Sequence, residues 1–194
     1  MDEIKKKYQI IYADPPWKMR YAIGLKDGFH VRDMPYPQMT VEAIKQLPIK
    51  EICDENAILF LWCIDAYIPN IKEIMESWGF KYITVGFVWN KISATGGVNA
   101  IVSQYTRKSC EMCYIGRKGK MLVIKPCGTD QYIGEQKRKH SQKPDDIKNR
   151  IVKLCGDLPR IELFARQKTE GWTSIGNDID GMDIKESLDK LITQ

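Results

Sequence analysis

Apolar positions come along this chain in two rhythms. Continuous runs, Ile10-Ile11-Tyr12-Ala13 and Ala57-Ile58-Leu59-Phe60-Leu61-Trp62-Cys63, suit strands covered on both faces, as in a parallel sheet. Between them apolar residues recur at helical spacing. Val41, Ile44 and Leu47 follow Thr40, a good N-cap, and Ile71, Ile74, Met75 and Trp78 lie in a helix expected over 68–78 and stopped by Gly79. Further strands are expected at 81–91, 109–116, 160–164 and 173–176, with a short one at 122–124. A helix over 144–154 opens on Pro144 and two acids that suit its dipole, and the tail 185–194 reads as a short amphipathic helix. Alternating strands and helices predict an α/β fold, a mostly parallel twisted sheet with helices on both faces.

Three stretches break the rhythm: 18–38, 93–108 and 126–143. All are polar and adjoin expected strand ends, the places where mobile segments cover a wide site. The turn Gly116-Arg117-Lys118-Gly119 is read as ending the strand 109–116. At 194 residues the chain is read as one domain over 1–194, with 43% hydrophobic and 28% charged residues, as in an ordinary soluble protein. No apolar run approaches the length of a membrane span, and the first residues are polar rather than signal-like, so a cytoplasmic setting is expected. The six cysteines are scattered and read as buried free thiols. Cys110 and Cys113 form a C-x-x-C, but in a strand they point to opposite faces and no second pair lies at zinc spacing, so no metal is expected.

Charge and chemistry sharpen this picture. The excess of 30 Lys and Arg over 25 Asp and Glu is a mild bias toward anionic partners, and it is concentrated in Lys137-Arg138-Lys139-His140. With Tyr105 and Tyr132 in neighbouring loops, that run suits a phosphate-tracking surface with stacking rings; a plain solvated loop is the alternative. Asp14-Pro15-Pro16-Trp17 follows the first strand, and two prolines must end its ladder, leaving Asp14 at the edge where open α/β sheets bind ligands. A carboxylate and the Pro15 carbonyl can each accept a hydrogen bond from an exocyclic amine, while Trp17 stacks on the base that carries it. A Pro-Pro turn with a surface tryptophan is the plain alternative.

Asp14-Pro15-Pro16-Trp17, then His140-Ser141-Gln142-Lys143-Pro144, then Ile161-Glu162-Leu163-Phe164-Ala165-Arg166 with Gly171-Trp172 and Gly176-Asn177-Asp178, together resemble the MT-A70 family of adenine N6-methyltransferases. The resemblance spans nearly the whole chain in the family's order. It implies an S-adenosyl-L-methionine-dependent methyltransferase of Rossmann-like, circularly permuted fold, with the catalytic strand first and the cofactor strands last. Carried over, Asp14, Pro15, Pro16 and Trp17 are the catalytic motif, Asp14 also facing the methionine amino group. Tyr36 lines the base pocket, Glu111 faces the active-site loop, and Lys137, Arg138 and Lys139 meet the substrate's phosphates. Lys143 pairs with the cofactor carboxylate, and Glu162, Arg166, Asn177 and Asp178 complete the cofactor site. Ala165 replaces a glycine common in the family. A Gly-rich loop is absent, so side chains are expected to hold the adenosine, and with thirteen residues before Asp14 the upstream contacts of some members are expected to be missing.

The expected activity is methyl transfer to the N6 amine of adenine in DNA. An RNA adenosine N6-methyltransferase working with a partner subunit, and a non-catalytic nucleic-acid-binding homologue supporting an active partner, are the alternatives. The resemblance leaves room for a homodimer or a heterodimer with a related subunit.

Overall fold

The computed structural model describes residues 7–18, 37–103, 105–124, 126–136 and 142–193. Strand β1 (Tyr8–Ala13) leads to α1 (Val41–Lys45) and α2 (Ile49–Ile52), β2 (Cys53–Cys63), α3 (Ile71–Ser77), β3 (Lys81–Ile92), β4 (Cys110–Lys118) and β5 (Tyr132–Gln136). Helix α4 (Asp146–Cys155), β6 (Arg160–Leu163), β7 (Thr173–Ile175), α5 (Asn177–Asp180) and α6 (Ile184–Thr193) complete it. Among the described residues the strands form one seven-stranded sheet in the order β5-β3-β4-β2-β1-β6-β7. It is mostly parallel: β1 lies between parallel β2 and β6, β6 pairs parallel with β7 and β3 with β5, and β4 alone runs antiparallel to its neighbours.

Alternation along the strands sorts side chains onto two faces. Tyr8, Ile11, Ala13, Leu59 and Leu61 share a core with Val41 and Ile44 of α1, Ile49 of α2, Ile74 and Met75 of α3, and Ile184 and Leu188 of α6. On the other face Ile10, Tyr12, Phe60, Trp62, Phe87 and Trp89 pack against Ile147, Ile151 and Cys155 of α4. The α/β architecture with helices on both faces is therefore as expected. Among the described residues no helix is long and apolar enough to cross a membrane.

Several boundaries differ from those expected. Gly116 is not a turn but a mid-strand residue paired with Leu59, where a Cβ would lie 3.1 Å from Met75 Sδ of α3 and from Phe80 Cβ, so its lack of a side chain eases the close packing of α3 on β4. Residues 122–124 form no strand; Leu122 and Val123 pack against the α4-side core, and the strand in this part of the chain is β5, inside the stretch read as a loop. Pro69 keeps the start of the expected helix 68–78 in a 3₁₀ segment, Asp65–Asn70, before α3 begins. Of the cysteines read as buried, Cys53, Cys63, Cys113 and Cys155 are, whereas Cys110 and Cys127 are exposed.

The ends of β6 and β7 meet tightly. Ala165 N donates to Ile175 O at 2.9 Å, and Gly176 takes φ +153°, with a Cβ position 2.8 Å from the backbone N and O of Ala165. Backbone offers no room to yield. Gly176→Ala is expected to lower unfolding free energy by about 1–3 kcal/mol, measured by urea denaturation; an unchanged midpoint would refute the close approach.

Candidate active site

Strand β1 ends at Ala13, opposite Leu61 of β2 and Leu163 of β6, and Asp14 is the next residue out. The prolines cannot extend the ladder, and the chain is instead tied to the residue before α1's cap: Met39 N donates to Pro16 O at 2.8 Å and Lys18 N to Met39 O at 3.1 Å. Trp17 N donates to Pro15 O at 2.9 Å, leaving that carbonyl one lone pair. The Trp17 ring turns inward. It is 5% exposed, donates from Nε1 to Trp62 O at 3.2 Å and stacks on Tyr67 with centroids 5.2 Å apart.

Alternation carries Tyr12 and Asp14 to the α4 side of the sheet. There Lys143 Nζ lies 2.6 Å from Asp14 Oδ2, 3.2 Å from Glu111 Oε2 and 5.4 Å from the centroid of the Trp62 ring. Trp62 Nε1 in turn donates to Tyr12 OH at 2.9 Å, fixing the ring under the ammonium. Glu111 on β4 stands opposite Trp89 of β3, and the side chain of Lys91, two residues further along β3, bonds the other carboxylate oxygen of Glu111. Lys91 itself lies over the Trp89 ring, 5.2 Å from its centroid. Charges alternate along this half-buried line: Asp14, Lys143, Glu111, Lys91.

The electrostatics follow from burial set against these partners. Burial pushes Asp14 above the usual carboxylate value, and Lys143 offsets only part of that. Burial would raise Glu111 too, but Lys143 and Lys91 together outweigh it and hold the carboxyl at about 2. Burial would lower Lys143, yet Asp14 and Glu111 push it up to about 12. Tyr12 is pushed well up by burial and by nearby acids, so its phenol stays neutral.

Two cavities open beside this line. One, of 310 Å³, carries the charged groups: Tyr12, Asp14, Lys143, Glu162 and Arg166 line it. Glu162 is held by Lys148, which also donates to Thr169 Oγ1 at 2.6 Å, and burial raises its carboxyl against that pairing. The second, of 380 Å³, is mainly apolar: Pro16, Met39, Leu47 and Ile184 line it, with Asn177 at its polar edge. Phe164, Arg166 and Asp178 line both, so the two are lobes of one trough. Such a trough fits a molecule charged at one end and mainly apolar at the other.

Of the residues expected from sequence, the structure thus brings together Asp14, Glu111, Lys143, Glu162, Arg166 and Asp178, with Pro16 and Asn177 in the second lobe and Pro15 buried beside them. It does not bring Trp17 into either lobe: the indole is a core side chain, taken up by Tyr67 and the Trp62 carbonyl. Tyr36, Lys137, Arg138 and Lys139 lie outside the described residues. Tyr132, read as a loop residue, is on β5. Tyr12, Trp62, Lys91 and Lys148 were not singled out. Tyr12 had a signal in the period of two that links it to Asp14; the others depend on which strands and helices meet.

The MT-A70 sequence profile matches residues 8–178. The chain belongs to the MT-A70 family. Type II methyltransferase M.MunI of Mycoplasma sp is 34% identical over 191 residues, which cover 90% of this chain and 79% of that protein. A probable N(6)-adenosine-methyltransferase MT-A70-like of Oryza sativa subsp. japonica is 26% identical over 184 residues, 93% of this chain but 24% of the rice protein. The N(6)-adenosine-methyltransferase catalytic subunit METTL3 of Homo sapiens is 26% identical over 180 residues, 91% of this chain and 29% of its own length. This MT-A70 member thus spans most of the Mycoplasma relative and only about a quarter of the plant and human ones.

Glu111 links the site to stability. Its folded-state value, about 2, lies below its ordinary 4.5, so its contribution is fully present above pH 4.5 and is lost as pH falls through 2. The difference in unfolding free energy between wild type and Glu111→Gln is therefore expected to shrink from pH 4.5 toward pH 2 in urea denaturation. A difference constant with pH would contradict the double pairing.

Proposed function

We propose that this chain, acting as a single catalytic domain, transfers a methyl group from S-adenosyl-L-methionine to the exocyclic N6 amine of adenine in DNA. The observation that carries the reading is Asp14, a carboxylate at the open end of β1, held 2.6 Å from Lys143 at the charged end of a trough whose other end is apolar. The residues present fit the cofactor: Lys143 for its carboxylate, Asp14 and Glu162 for its ammonium, and Arg166, Asn177 and Asp178 for its ribose and base, with Phe164 and Ile184 offering apolar surface. When bound, that cofactor supplies an electrophilic methyl group. With β1 first in the chain and β6 and β7 last, the order of elements supports a circularly permuted methyltransferase fold.

The protein's own part is positioning. Ionised Asp14 accepts one N–H of the amine, and the Pro15 carbonyl accepts the second with its remaining lone pair. Two such bonds turn the nitrogen lone pair away from the ring and toward the trough. An adenine in a duplex must leave the stack to reach this place. Lys137, Arg138 and Lys139 are the proposed phosphate contacts and Tyr36 a wall of the base pocket; Trp17 contributes by holding the turn.

The match to a type II methyltransferase over most of its length supports DNA, and the N(6)-adenosine-methyltransferases support the position of transfer. Labelled-methyl transfer to DNA and RNA oligonucleotides in parallel, followed by nucleoside analysis, tests both. N6-methyladenine in DNA is the expected product; label in RNA alone would move the substrate to RNA, and label in neither would leave a binding homologue. Asp14→Asn keeps the shape and is expected to cut transfer by about 100-fold or more, and a near-normal rate would sink the mechanism. Lys143→Met is expected to weaken cofactor binding by about 1.5–3 kcal/mol in titration calorimetry; unchanged affinity would remove Lys143 from the cofactor.

A further inference from the structure

Lys143 serves two carboxylates at once, and the one it shares with β4 has a second cation on its far side. An ammonium between Asp14 and Glu111, at 2.6 and 3.2 Å, divides its field between them. Both oxygens of Glu111 are nevertheless satisfied, because Lys91 takes Oε1 while Lys143 reaches Oε2. Lys91 has a built seat for this. It lies on the Trp89 ring, 5.2 Å from the centroid, and its backbone N donates to Ser109 O at 2.9 Å, which fixes the diagonal approach to Glu111 across β3 and β4.

We propose that Lys91 is a positioning residue of the methyl-transfer site: by holding Glu111 from the far side, it releases the Lys143 ammonium to keep Asp14 ionised. The proposal rests on the methyl-transfer reading for its purpose but not for its geometry. Lys91 touches neither lobe of the trough and acts through two other side chains. Among the described residues, the groups acting on Asp14 are Lys143 before α4, Glu111 and Cys113 on β4, Cys63 at the end of β2, Tyr12 on β1, Glu162 on β6, and Arg166 beyond it. Two of these are cations, and burial works against the charge on Asp14. A carboxylate in that position depends on how much of Lys143 it receives.

The consequence has a sign. Without Lys91, Glu111 draws more on Lys143, and Asp14 protonates at higher pH; without the charge on Glu111, Lys143 serves Asp14 alone, and Asp14 protonates at lower pH. The test follows the Asp14 side-chain carboxyl by carbon-detected NMR through a pH titration of wild type, Lys91→Met, Lys91→Arg and Glu111→Gln, alongside the pH profile of methyl transfer to a DNA oligonucleotide. Lys91→Met is expected to move the Asp14 midpoint and the acid limb up by roughly 0.5–1 unit, Glu111→Gln to move both down, and Lys91→Arg to restore the wild-type positions. A merely structural role gives no such opposed shifts. If Lys91→Met does not fold, Lys91→Gln, which keeps a donor to Glu111 without the charge, takes its place with the same expected upward shift. An Asp14 midpoint equal in all four proteins overturns the proposal, as does an acid limb that ignores a midpoint that moves. Opposed midpoints in a wild-type protein that methylates nothing would sustain the charge coupling and overturn the methyl-transfer reading instead.

Discussion

A strand with neighbours on both edges and helices on both faces has no place for a charge along its length. β1 is such a strand, paired in parallel with β2 and β6, and its inward residues are apolar or, like Tyr12, neutral and hydrogen-bonded. Chemistry is therefore confined to the first residue past its end. Parallel pairing gathers the ends of β2, β6 and β7 at the same rim, and this puts Arg166, far along the chain, beside Asp14, and Asn177 in the adjoining lobe. The prolines and the two hydrogen bonds to Met39 then stop the chain from moving on past that rim.

Burial of charge at the rim follows a simple logic. No member of the line Asp14, Lys143, Glu111, Lys91 is tolerable there alone, and each is paired with an opposite charge; both ammonium groups also rest on an indole face. The line is neutral when every group is ionised. Its members differ in how firmly they hold that state: Glu111 is paired with two lysines and is held low, whereas among the described residues Asp14 is paired with Lys143 alone, with Arg166 acting weakly, and is not.

Much of this was legible in the residues. Helical spacing gave α1 and α3, Pro144 and the two acids after it gave α4, the apolar runs gave β1 and β2, and four motifs in order pointed to the family and to Asp14, Lys143 and Arg166. β5 was not legible, because Tyr132–Gln136 buries only Ile133, carries a glycine at its centre and pairs on one side, so its composition reads as loop. α2 and α5 are single turns, too short for periodicity to register. The packing of Trp17 was not legible, since a tryptophan after a turn reads alike whether its ring faces ligand or core, and it is Tyr67 from another element that stacks on it. Lys91 was silent because its importance is a diagonal across two strands.

The first turn of α6 lies past residue 178, where the family match stops, yet Asp183, Ile184 and Lys185 line the apolar lobe of the trough. The wall of that lobe is thus written partly in a segment past the family match, while the charged lobe lies wholly within it. Substitutions at the head of α6 can reshape one end of the trough and leave the Asp14 line untouched. A ligand long enough to reach that lobe would therefore feel changes in α6 that the reacting end of the site does not.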